Sequence, residues 1–422
     1  MRVKLGRTTR LRVGRAYANE PTAAPSRTYP LTMSLLVLNL RILLVRLGFA
    51  VGRLMPRRRR VVLATSHVDR ISGNLAFIHD DLRRRYPGVP VTTLAYRPAA
   101  TALGKVRMAA KAVIGGFHLA TAAVFVVDDY YMPMYVIQPR PGTIRAQVWH
   151  ACGAFKKFGY SILDKEFGFD RRAAERVRIH GNYDVCLVSS RAVASHYAEA
   201  FRQPVELFRG DLGIPRTDAF FASDRPRIEA EIRTRYGLPE GRRVILYAPT
   251  FRGTTNAAAQ HPAELDIAEL QRVLGDDHVL LIRLHPFVRA ALRLAPETAG
   301  FAIDVSGYPD INELMLVSDV LVTDYSSAMF EFGLLGRPMV FFAPDHDAYI
   351  DERGFYFEYR SGVPGPVFET TEELAAYLRA GSFDLERIAL FRAASFDVAD
   401  GHATERFVDR IVIPALRGEP PA

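Results

Sequence analysis

The sequence predicts an α/β protein made of two doubly wound, Rossmann-type domains that face each other across a cleft. Three observations predict it. From Arg60 onward, short apolar runs of strand length alternate with longer stretches of helical spacing, as in a parallel sheet covered on both faces. The alternation falls into two successive series that part at Gly213-Ile214-Pro215. The chain of 422 residues is also long enough to bury about two cores.

Taken in order, residues 1–59 are expected to form a disordered basic arm and an interfacial amphipathic helix. Residues 1–30 are Arg-rich and lack apolar periodicity, and Met33 is a second candidate start. The segment Leu31–Met55 is dense in Leu, Val and Ile but is interrupted by Arg41, Arg46 and Arg53. Central arginines are costly in a spanning helix. No small-residue cleavage site follows the apolar run, which speaks against a secretory signal. With Arg57–Arg60 directly after it, the segment reads as a helix held at an anionic surface by acyl contact and charge together. A first core helix with a solvated basic end is the other reading. Residues 60–213 form the first domain, with strands at Val61–Thr65, Ala123–Val127, Ala146–Trp149 and Val185–Val188. Residues 214–398 form the second, with strands at Val244–Ala248, Val279–Leu284, Val320–Thr323 and Met339–Phe342. Residues 399–422 supply a C-terminal helix and tail, with helical spacing over Thr404–Ile413.

Composition excludes several classes. The first 60 residues hold fourteen Lys/Arg against one acid, and the rest of the chain holds 41 against 45. The net charge of +9 therefore belongs to the arm. The nearly balanced body carries no nucleic-acid motif, so no nucleic-acid partner is expected. Cys152 and Cys186 are the two cysteines, which excludes a disulfide framework and suits a reducing, cytoplasmic compartment. There is no G-x-x-x-x-G-K-[ST] loop and no G-x-G-x-x-G, so a P-loop nucleotide and a dinucleotide lose support. No metal site and no cofactor is expected; cationic side chains and helix N-termini would neutralise bound phosphates.

Ligands of doubly wound sheets bind beyond the carboxyl ends of the strands. One such end carries Thr323-Asp324-Tyr325-Ser326-Ser327, two hydroxyls at a helix start beside free backbone N–H groups, which suits a phosphate. Glu331 lies further along that helix, where it can accept from ribose hydroxyls. A plain N-cap explains the same Asp and Ser residues. At Leu284-His285-Pro286 the proline stops a strand and leaves His285 at the cleft edge, for proton transfer or phosphate contact, or as a structural histidine. Thr250 and Arg252 follow another strand and place a hydroxyl and a guanidinium at the same level. In the first domain, His150 ends a strand, with Lys156 and Lys157 beyond it. Cys152 beside His150 raises a Cys/His nucleophile, but no third orienting residue is evident. Ser72-Gly73-Asn74 stands on the acceptor side as a weak signal, with Asn74 and Lys156 as its candidates.

Together these pieces resemble the CDP-glycerol glycerophosphotransferase family, the teichoic acid primases and polymerases. The resemblance rests on Trp149-His150, Gly213-x-Pro215-Arg216-x-Asp218, Tyr247-Ala248-Pro249-Thr250-Phe251-Arg252 and His285-Pro286. It continues through Asp310-Ile311-Asn312-Glu313-Leu314, Ser318-Asp319, Thr323–Ser327, Arg337-Pro338, Asp347-x-Tyr349, Arg353-Gly354-Phe355-Tyr356 and Asp400-Gly401-x-Ala403-x-Glu405-Arg406. It implies a GT-B architecture and transfer of a polyol phosphate from a CDP-activated donor to a lipid-linked or glycan acceptor, with CMP released. It further implies that His150 and His285 flank the reacting phosphate and that Arg252, Ser326 and Ser327 bind donor. Either histidine can serve as general base, with His150 favoured, and Arg216, Thr250, Asp324 and Glu331 complete the donor-side candidates. The enzyme is then expected to sit peripherally on the inner face of the membrane. Members usually show Trp-His-Gly-Thr where this chain has Trp149-His150-Ala151-Cys152. The chain also lacks the long extra N-terminal region of the large polymerases, so a primase-like single transfer is expected. The rivals are a GT-B glycosyltransferase using a nucleotide sugar and a non-enzymatic membrane or nucleic-acid binder driven by the arm.

Overall fold

The computed structural model describes residues 35–66, 68–96, 101–163, 165, 170–253, 260, 265–286, 288 and 292–420. The expected disorder of 1–30 and the candidate start at Met33 lie outside the described residues. The first sheet contains β1 (Arg58–Thr65), β2 (Val91–Ala95), β3 (Ala122–Val127), β4 (Ile144–Gln147), β5 (Val185–Leu187) and β6 (Phe208–Arg209), in the order β2-β1-β3-β4-β5-β6. The second contains β7 (Arg243–Tyr247), β8 (His278–Ile282), β9 (Ala302–Asp304), β10 (Val320–Thr323), β11 (Met339–Phe342) and β12 (Val367–Phe368), in the order β12-β11-β10-β7-β8-β9. Every strand pair is parallel.

All eight strands expected from the apolar runs are present, and the four additional ones, β2, β6, β9 and β12, are the sheet edges. Central strands are buried on both faces, as Val61–Ala64 and Val124–Val127 show, so their sequences are continuous apolar runs. Strand order reverses between β1 and β3 in the first sheet and between β7 and β10 in the second. These two switch points open the crevices in which such sheets hold ligands.

Helix α1 (Leu35–Arg53) lies against α3 (Ala102–Thr121), the helix that feeds β3. Leu38, Ile42, Val45 and Phe49 are buried in that contact. Glycine sets its closeness: a Cβ on Gly48 would lie 2.0 Å from the Val113 carbonyl oxygen, and one on Gly116 2.1 Å from that of Val45. The segment expected as an interfacial helix, or as a first core helix, thus packs one face as a layer of the first domain. At the other end of the chain, Ala403–Arg417 returns to the first domain, with a π-turn at Val408–Val412 inside the expected helix. Asp218 caps it by accepting from the Ala403 and Thr404 amides (3.0 and 2.8 Å), and Arg85 donates to Asp409 at 2.9 Å.

Candidate functional site

The first switch point holds a cavity of about 110 Å³. Thr65 comes from the end of β1, Asp128 and Asp129 from the end of β3, and Trp149 and His150 from just past β4. Ser72-Gly73-Asn74 comes from the start of α2 (Gly73–Arg85), and Arg216 from the segment joining the domains. β4 stops at Gln147 rather than at Trp149, because Trp149 turns into a left-handed backbone with φ +49°. For a bulky residue that conformation costs on the order of 1–3 kcal/mol and must be held by its surroundings. The buried Gln147 accepts the Trp149 amide at 2.9 Å, and the buried Asn74 donates to the Trp149 carbonyl at 2.8 Å. Phe158 stacks on the indole, and Tyr130, His180 and Phe201 meet it at tilted or edge angles. Burial drives the His180 imidazole far below its ordinary range, so it remains neutral within this cluster.

The turn at Trp149 aims His150 into the cavity, with its ring stacked on the indole (centroids 4.4 Å apart) and about half exposed. Its Nδ1 lies 3.2 Å from the Asp128 carbonyl oxygen and 3.7 Å from a carboxylate oxygen of Asp129. Burial pushes the Asp128 carboxyl up to about 6; the Thr65 hydroxyl opposes the rise and Asp129 adds to it. One Asp128 carboxyl oxygen is buried without a hydrogen-bond partner.

The second switch point holds the expected donor residues other than Arg216, bonded mainly to one another. Asp324 is buried and accepts from the Thr250 amide (2.8 Å), the Thr250 hydroxyl (3.0 Å) and Arg252 (2.8 Å). Arg252 also forks onto Asp345 and lies over the stacked rings of Tyr325 and Tyr349. Burial works against its charge, but Asp324 and Asp345 outweigh that and raise its pKa. Ser326 accepts the Ala328 amide at 3.2 Å and caps the short helix Ala328–Gly333, whereas Ser327 makes no side-chain cap bond. Buried Glu331, expected to face a ribose, pairs with Arg216 of the segment joining the domains.

Three further placements differ from expectation. Lys156, assigned to the acceptor side, reaches the second domain and donates to the Tyr349 hydroxyl at 3.0 Å. It does so because residues 154–158 cross over: Lys156 bridges Phe355, Phe155 stacks on Phe357, and Gly153 leaves no room for a Cβ beside the Phe330 ring. Asn74, the other acceptor-side candidate, is a clip whose amide holds the Val148 and Trp149 carbonyls and accepts from the Arg216 amide. His285 packs on Phe251 and is not among the residues lining the His150 cavity, so the two rings expected in one cleft do not share one cavity.

Sequence reasoning gave no role to Asp128 and Asp129, which directly follow the strand Ala123–Val127, and passed over Gln147. It also missed that Asp345-His346-Asp347 is an Asp-x-Asp spacing. In the structure Asp345 is occupied by Arg252 and Tyr325, while the Asp347 side chain points fully into solvent. Among the described residues no group of three or more His, Cys, Asp or Glu is placed to hold a metal ion. Cys152 is buried, and burial pushes its thiol up, which disfavours the thiolate a nucleophile needs.

Two parallel six-stranded sheets with facing switch points, re-crossed by a C-terminal helix, define a GT-B-type transferase architecture. The chain belongs to the CDP-glycerol:poly(glycerophosphate) glycerophosphotransferase family, whose model matches residues 48–413. It is 36% identical to the teichoic acid ribitol-phosphate primase of Bacillus spizizenii, over 83% of this chain and 90% of that one. It is 35% identical to the teichoic acid poly(ribitol-phosphate) polymerase of the same organism, over 88% of this chain and 59% of that protein's length. Structures of the wall teichoic acid polymerase TagF, one of a variant soaked with CDPG, superpose with TM-scores of 0.73 and 0.72. Each is 25% identical and covers 90% of this chain and 95% of that one.

Proposed function

We propose that this chain transfers a glycerol-phosphate or related polyol-phosphate unit from a CDP-activated donor to an acceptor hydroxyl of a cell-wall or surface polymer, releasing CMP. His150 carries the reading: a histidine held by a strained strand end, in a cavity at the switch point of the first sheet, with Arg216 linking that cavity to the second domain. The acceptor oxygen attacks the β-phosphorus, its proton passes to Nε2 of His150, and the bond to the CMP oxygen breaks. Phosphoryl transfer of this kind is mostly positioning and electrostatics. Arg252, Thr250 and the Ser326-Ser327 corner are the donor side, and the buried Asp324 and partly exposed Asp345 carboxylates hold the Arg252 guanidinium in place for phosphate contact. Both B. spizizenii relatives carry ribitol in their names, so ribitol phosphate stands beside glycerol phosphate as the transferred unit. No cofactor is assigned.

The proposal extends to location, at the cytoplasmic face of an anionic membrane. Leu36, Leu40, Leu43, Leu47, Val51 and Leu54 are exposed along one helical stripe of α1 and its end, and Leu103, Val106 and Ile114 of α3 are exposed too. Arg46, by contrast, folds back to donate to the Val136 carbonyl at 2.9 Å. An apolar helix face fringed by Arg53, Arg57 and Arg59 suits acyl contact with charge attraction.

His150→Ala tests the catalytic reading. A general base contributes about 10²–10⁴-fold, so turnover should fall by that much and the acidic limb of the kcat profile should vanish. Near-normal turnover with the limb intact makes His150 structural.

A further inference from the structure

We propose that Asp129 is the positioning residue for His150: together with the Asp128 carbonyl it holds the ring by Nδ1 and leaves Nε2 to take the acceptor proton. The inference rests on His150 as the base and adds what makes it one. A carbonyl oxygen only accepts, so Nδ1 at 3.2 Å from the Asp128 oxygen must carry the hydrogen. That selects the tautomer whose Nε2 has its lone pair available. The Asp129 carboxylate lies 3.7 Å from the same nitrogen and closes the arrangement of proton acceptor, ring and carboxylate.

The carboxylate is itself fixed. It accepts the Tyr130 amide at 2.6 Å, and the Asp129 carbonyl accepts Gln147 Nε2 at 3.1 Å. Gln147 is fully buried, and its other side-chain atom, the oxygen, accepts the Trp149 amide. One glutamine therefore locks the corner that carries Asp129 to the corner that carries His150, and the strained Trp149 turn is part of the same lock. When Nε2 takes the acceptor proton, the new imidazolium lies beside a carboxylate that is only 14% exposed and weakly screened. Other ionisable groups also lie near the ring. Arg216 is paired with Glu331, His180 is neutral in its aromatic cluster, and the free Asp128 oxygen is buried with Thr65 beside that carboxyl.

The test uses the full chain and reads both turnover and the titration of His150. Asp129→Asn keeps an acceptor oxygen for the Tyr130 amide, so the corner should fold. Its kcat should fall about 100-fold or more with donor KM little changed. The acidic limb should move to lower pH, because the imidazolium that forms on proton transfer loses the carboxylate beside it. Diethylpyrocarbonate modification of His150, followed by peptide mass spectrometry across pH, should shift its midpoint the same way. Asp129→Glu should recover at least tenfold over the Asn variant. A normal kcat and unmoved midpoint in Asp129→Asn overturn the positioning role. So does a lost kcat with an unmoved midpoint, which is what mere structural damage gives. If His150→Ala itself retains turnover, the base assignment fails instead; if His150→Ala is dead and Asp129→Asn is normal, only the positioning proposal fails.

Discussion

Trp149 shows at residue scale how this site is assembled, because a left-handed tryptophan is kept only where its neighbours hold it. Asp128 is the matching electrostatic cost. Its carboxyl is raised from 3.8 to about 6 by burial, so its ionisation opposes folding. The cost is absent below about pH 3.8, builds between there and about 6, and is complete above. Asp128→Asn should therefore raise the melting temperature at neutral pH, by up to about 3 kcal/mol of stability, and leave it unchanged near pH 3.5. Thermal melts at the two pH values check this, and an equal gain at both contradicts it. The serine corner separates two roles in the same way. Ser326→Ala loses a helix cap and should cost about 1 kcal/mol, whereas Ser327→Ala should leave stability alone and weaken donor binding by calorimetry. Unchanged donor affinity in a folded Ser326→Ala/Ser327→Ala variant removes this corner from the donor site. His150 was legible because a histidine at the end of an apolar run stands at the ligand edge of a parallel sheet. Asp129 was not, since two acids after a strand read equally well as a solvated corner. Only the fold shows which of them faces a ring.

The elements that were legible are those buried on both faces. Most interior strands have a short apolar core, β4 with its Arg145 and Gln147 being the exception, while β2 (Val91–Ala95) carries two threonines and β6 and β12 are two residues each. Edge strands are covered on one side only, so nothing forces an apolar run on them. α1 was legible in its apolar content but not in its packing, because Gly48 reads as a weak helix residue until Val113 is seen against it. The exposed stripe gives the membrane proposal its test. Replacing Leu36, Leu40, Leu43 and Leu47 with Gln leaves the buried face intact, which deletion of α1 would not. Each leucine buried in an acyl layer contributes roughly 1–2 kcal/mol. The quadruple variant should therefore leave anionic vesicles in co-sedimentation, with soluble-acceptor turnover kept. High salt should release the wild-type chain only in part, since apolar contact is not screened. Unchanged co-sedimentation of the variant contradicts the anchor.

At the scale of the whole molecule the two domains share one continuous buried apolar cluster, and the Arg216–Glu331 ion pair ties the segment joining them to the second domain. Breaking one partner of such a pair leaves an uncompensated charge, so Arg216→Gln should cost about 3 kcal/mol. Adding Glu331→Gln should return part of it, as a double-mutant cycle by denaturant unfolding would read. Additive losses would mean that the two do not interact. The two-domain architecture was visible in the sequence as two series of strands. The seam was not: that Lys156 reaches Tyr349 and that Arg216 pairs with Glu331 shows only once the second domain is in place. The central claim is the reaction, and a donor panel measures it most directly. CDP-glycerol, CDP-ribitol and UDP-sugars are each incubated with the full chain and a membrane acceptor, and products are identified by mass spectrometry. The expected result is CMP together with an acceptor heavier by one or more polyol phosphates, from a CDP-polyol alone. UDP release with a glycosylated acceptor, and no CMP from either CDP-polyol, would contradict it.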